Sequence, residues 1–130
     1  MKKIFLVAVL ALALAFGSVA SAYAASANYT IVVPRLRADI YTSAKTVSAG
    51  KDFGVRHRYS GAYPVRFAVC NSSRQAIGPV VTVNPGGSTA PLVDLWYNDS
   101  ASSKTVLVRM DSSKLNYVKI VAEGTWYWNY

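Results

Sequence analysis

Alternation of apolar and polar residues with a period of two runs through most of the chain after its first two dozen positions. "FGVRHRY" sets Phe53, Val55, His57 and Tyr59 against Gly54, Arg56 and Arg58. "VRFAVC" sets Val65, Phe67 and Val69 against Arg66, Ala68 and Cys70. "TVLVRM" gives Val106, Val108 and Met110 against Thr105, Leu107 and Arg109, and "YVKIVAE" gives Val118, Ile120 and Ala122 against Tyr117, Lys119 and Val121. "NYTIVV", "LRADIYT", "VVTV", "LVDLWY" and "TWYWNY" are further β-branched or aromatic runs. A period of two puts alternate side chains on opposite faces of a strand, whereas no run in this region keeps helical spacing over three turns. The connectors "VSAGKD", "SGAYP", "NSSRQAIGP", "NPGGSTAP", "NDSASSK" and "DSSKLN" are rich in Gly, Pro, Asn, Asp and Ser, which favour turns. About eight short strands with one apolar and one polar face predict an antiparallel β-sandwich, with a small β-barrel as the alternative.

The first residues follow another pattern. Lys2 and Lys3 precede an apolar run, Ile4 to Phe16, and then small residues up to Ala22-Tyr23-Ala24. That order predicts a secretory signal peptide, helical in its apolar run and cleaved after Ala24; cuts after Ala22 or Ala27 also fit. The apolar run is shorter than the ~20 residues a membrane-spanning helix needs. The expected organisation is a signal peptide over 1–24 and a single domain over 25–130, secreted and free of further spans. With one cysteine, Cys70, the domain has no intramolecular disulfide and must hold itself by burial. Asn28-Tyr-Thr30, Asn71-Ser-Ser73 and Asn98-Asp-Ser100 match the glycosylation acceptor pattern. In a bacterial protein, which the lone cysteine suggests, they read as turns.

The chain has 14 basic and 6 acidic residues, a net charge of +8 that falls to +6 when Lys2 and Lys3 leave with the signal peptide. Excess positive charge bears on association rather than on fold. "VRHRYSGAYPVRF" reads as a hairpin, with Tyr59 facing Val65 and Arg58 facing Arg66. That register gathers Arg56, Arg58 and Arg66 on one face, with Arg35 and Arg37 as a second pair and Arg74 in the next loop. Like charges directly opposite one another destabilise a strand pair, so such a cluster calls for water, acidic neighbours or an anionic partner. Guanidinium groups bind phosphate bidentately. At the far end, Trp126, Trp128 and Tyr130 alternate onto one face, either as an exposed platform or as a cap on the core.

Catalytic and metal chemistry find little support. His57 and Cys70, each the sole residue of its type, fall on opposite faces in the expected hairpin, beyond dyad reach. No G-x-S-x-G elbow is present, and the acids Asp39, Asp52, Asp94, Asp99, Asp111 and Glu123 are scattered. Asp94, within a strand, is expected to face solvent beside an arginine. No metal cluster is present, and no cofactor is implied. "NPGGSTAP" lacks the lysine of a phosphate loop and reads as a mobile connection.

From Tyr41 onward, the Ser/Asn-rich turns and the closing "VAEGTWYWNY" resemble a family of small secreted all-β proteins of unknown function from Gram-positive bacteria. The aromatic ending is also similar to that of small secreted β-sandwich bacteriocins. The resemblance implies an exported small β protein and transfers no catalytic residue. The expectation is a non-enzymatic protein of the cell envelope that binds an anionic wall polymer or an anionic lipid surface. The alternatives are a bacteriocin-like antimicrobial factor and a small extracellular enzyme inhibitor.

Overall fold

The structure, a computed structural model, describes residues 24–35, 38–112 and 119–130. The signal-peptide region up to Tyr23, Arg37 and Val118 lie outside the described residues. Nine strands are present among those described: β1 (Ala25–Val33), β2 (Ile40–Tyr41), β3 (Lys45–Val47), β4 (Asp52–Tyr59), β5 (Val65–Asn71), β6 (Val81–Val83), β7 (Val93–Tyr97), β8 (Lys104–Ser112) and β9 (Ile120–Trp128). They form two antiparallel sheets, ordered β1-β9-β4-β7 and β2-β8-β5-β6, with β3 also pairing β8. The two sheets pack as a sandwich, as the alternation predicts.

The inward sides of the alternating runs make the core. Phe53, Val55, Val65, Phe67, Val69, Val106, Val108 and Met110 are buried between the sheets, joined by Val33, Ile120, Ala122 and Trp126. Trp126 stacks on Tyr29, with ring centroids 4.3 Å apart, and meets Phe67 edge-on at 5.8 Å. Aromatic pairs prefer these offset and T-shaped geometries, and the three rings fill the space between the layers.

The expected hairpin is corrected. β4 and β5 are consecutive but lie in different sheets, β4 between β9 and β7 and β5 between β8 and β6. The chain from Ser60 to Pro64 crosses from one layer to the other. Both strands still turn their apolar faces inward, because each sheet buries one face. Burial therefore fixed the faces correctly but could not fix the partner. Tyr59 departs as well: a register shift between His57 and Tyr59 turns it outward, and it is exposed.

Buried polar groups are paired. Asn98 donates from Nδ2 to the carbonyls of Val47 and Ser102, and its Oδ1 accepts from Ser100 N and Oγ. It pins the β7–β8 connection to the end of β3. Asn71 likewise accepts from the backbone N–H groups of Ser73 and Gln75. Two of the three acceptor-like triplets thus form turns, whereas Asn28 lies within β1.

Candidate functional site

Three of the arginines expected to share a face are divided between the two outer surfaces. Arg56 and Arg58, on β4, project from the first sheet. The Arg56 guanidinium lies 5.5 Å from the Tyr127 ring centroid and donates to the Ala90 carbonyl. Arg58 donates from Nη1 to Thr125 Oγ1, which donates in turn to Asn28 Oδ1 at 2.8 Å. Asp94 on β7 and Glu123 on β9 project from the same sheet, so acids stand among these arginines. Arg35 is exposed just after β1.

Arg66 instead belongs to the outer face of the second sheet. It sits directly opposite Asp111 on β8, not opposite Arg58. Its Nε and Nη2 reach the two carboxylate oxygens at 2.6 and 2.7 Å. This bidentate bond, the one ion pair among the described residues, raises the Arg66 pKa further and fixes the guanidinium plane. One step along the strands, Ala68 lies opposite Arg109, and Arg109 lies opposite Tyr41 of β2. The small Ala68 side chain leaves a hollow of about 50 Å³ bordered by Arg66, Val80, Arg109 and Asp111. That is room for a few waters or one small oxyanion.

Arg74 completes the face. It adopts a left-handed backbone conformation, φ 63°, within the turn held by Asn71. Its guanidinium stands 4.6 Å from the Tyr41 ring centroid. Across the sheet Tyr41, Arg109 and Ala68 therefore share one row, with Arg66 on the neighbouring row and the Arg74 guanidinium reaching the Tyr41 ring from the turn after β5. Arg74 and Arg109 have no carboxylate partner among the described residues. Arg109 escaped attention in the sequence because its assembly with Arg66 depends on β5 pairing with β8, some forty positions away. The alternation in "TVLVRM" did place it on the polar side.

The aromatic ending is divided too. Trp126 is core. Trp128 is half-buried, with Lys45 Nζ 5.1 Å from its ring centroid. Asn129 has φ 62°, which breaks the alternation, so Tyr130 turns to the outer side of the first sheet over Gly54. Its hydroxyl donates to Asp94. Burial and the Asp94 carboxylate raise the Tyr130 pKa. The partner of Asp94 is thus a phenol, where an arginine was expected. The three residues do not form a common platform.

His57 is buried within a hydrogen-bonded chain. Ser60 Oγ donates its only proton to the Tyr63 carbonyl, so it accepts from His57 Nε2–H at 2.7 Å. His57 Nδ1 is then the acceptor for the Tyr29 hydroxyl at 2.8 Å. This tautomer gives Ser60 no base, and Ser60 is itself fully buried. Burial lowers the His57 pKa to about 4 and raises that of Tyr29. Cys70 is buried on the second sheet, away from His57. "NPGGSTAP" contains a short 3-10 turn, Gly87–Thr89, and its Gly86 N–H donates to the His57 carbonyl.

No protein-family model matches the chain, and no curated protein matches it. Among solved structures, it is similar to a family two carbohydrate esterase from Cellvibrio japonicus, with a TM-score of 0.32 and 12% identity over 80% of this chain and 34% of that one. The chain thus spans about a third of that esterase's length. The likeness is too low to carry any residue or activity across.

Proposed function

We propose that this is an exported, non-catalytic binding protein of the cell envelope, and that the outer face of its second sheet engages phosphate-bearing anionic wall polymers. The observation that carries this reading is the pair Arg74 and Arg109, without an ion-pair partner among the described residues, on the sheet face where Arg66 is oriented by Asp111. An acid-paired arginine is largely satisfied, whereas guanidinium groups without an acid partner on one sheet face favour an anion that engages them. A repeating polyanion can meet several such groups at once, so weak single contacts add. Co-sedimentation with isolated cell walls tests it. An Arg74→Gln/Arg109→Gln variant should lose retention, while Arg56→Gln/Arg58→Gln should keep most of it. Equal retention by all three proteins would refute the reading.

A further inference from the structure

Among the described residues the first sheet ends on one side at β1, which pairs with β9. The pairing runs unbroken from Ala25–Trp128 to Val33–Ile120, without a bulge. Across these nine residues, "ASANYTIVV", there is no charged side chain and no proline; Pro34 and Arg35 come only after the strand ends. Proteins protect exposed sheet edges with charges, prolines, bulges or shortness, because a bare edge is a template for another strand. The other edges have such protection. β7 carries Asp94 and a register shift, β6 is three residues long between Pro79 and Pro85, and β2 and β3 have two and three residues.

The layer beneath the β1 edge is open as well. A groove of about 360 Å³ runs between β1 and the β2–β3 edge, with Tyr29, Ile31, Ile40, Tyr41 and Trp126 among its walls and Lys45 as its one charged residue. Part of the opening follows from Tyr29, which leans away from the edge, across Gly124, to reach His57.

We propose that β1 is the dimer interface of this protein, pairing antiparallel with β1 of a second copy to make one continuous eight-stranded sheet. An antiparallel pair about a two-fold axis is self-complementary, each copy presenting the same strip. β1 has the alternation that this position requires. Tyr29 and Ile31 face the groove layer, and Asn28 and Thr30 face outward. A positively charged protein meets itself here along a strand with no charged side chain, so side-chain repulsion is smallest at this edge. Nine residues extend about 30 Å, long enough for a full ladder between the two copies.

Sedimentation equilibrium of the purified protein tests this. The wild type should associate to a dimer as its concentration rises through the micromolar range. Thr30→Lys and Val32→Lys each place a charge on an exposed position of the strand and should weaken association at least tenfold, with an unchanged β-type circular dichroism spectrum. Two variants are used so that a folding failure in one leaves the other to decide. A wild type that stays monomeric throughout, or folded lysine variants that associate as the wild type does, would overturn the proposal.

Discussion

Tyr29 and His57 lie two strands apart in the first sheet, yet the Tyr29 hydroxyl donates to His57 Nδ1 at 2.8 Å. Gly124 of β9 lies between them, opposite both residues. A Cβ at that position would collide with the Tyr29 hydroxyl and with the Arg56 carbonyl oxygen. The absent side chain is the gap through which the phenol crosses.

Gly124→Ala should therefore destabilise the protein by about 2 kcal/mol or more, combining overpacking with a weakened buried hydrogen bond. Urea denaturation measures this. An unchanged midpoint would mean that Tyr29 can leave His57 without cost.

Burial of the same histidine sets a pH dependence. Folding lowers the His57 pKa from 6.5 to about 4 through burial, so between these values the unfolded chain binds a proton that the folded one does not. Stability is then complete above about pH 6.5 and falls as the pH drops toward 4, by about 3 kcal/mol in all. His57→Gln should flatten that part of the urea-midpoint profile relative to wild type. Parallel profiles would contradict the assignment.

Arg66 and Asp111 give a prediction with two opposite signs. Asp111→Asn should lower stability by about 1–2 kcal/mol, since Asp111 is nearly buried and accepts two charge-assisted bonds. It should also tighten retention on anionic polymer, because it removes a negative charge from the face. Loss of retention in a folded Asp111→Asn protein would show that orientation of Arg66 outweighs charge.

Trp126→Ala should cost about 3–5 kcal/mol, as expected for removing a large buried ring. Trp128→Ala, at a half-buried position, should cost clearly less. Thermal unfolding of the two variants ranks them.

Much of the fold was legible because alternation reports burial directly. The inner residues of β4, β5 and β8 follow from "FGVRHRY", "VRFAVC" and "TVLVRM", and even His57 falls on the apolar side of the alternation. Strand partnership was not legible. The "SGAYP" turn looks like a hairpin, but nothing local distinguishes a return within one sheet from a crossing between two. That one ambiguity produced the expected Arg56, Arg58 and Arg66 cluster, whereas the structure brings Arg66 to Asp111 and Arg109. Tyr59 and Tyr130 were misplaced for a related reason. A bulge and a left-handed Asn129 each shift the period by a residue, and sequence alternation does not mark either.

The reading of this protein as a binder of anionic polymers depends most on Arg74 and Arg109. The direct test is the salt dependence of affinity for a purified phosphate-bearing wall polymer. Wild type should lose affinity steeply as salt rises, and Arg74→Gln/Arg109→Gln should both weaken binding and reduce the log–log slope by about two, on the order of one per arginine removed. A double variant with the wild-type affinity and slope would contradict the account.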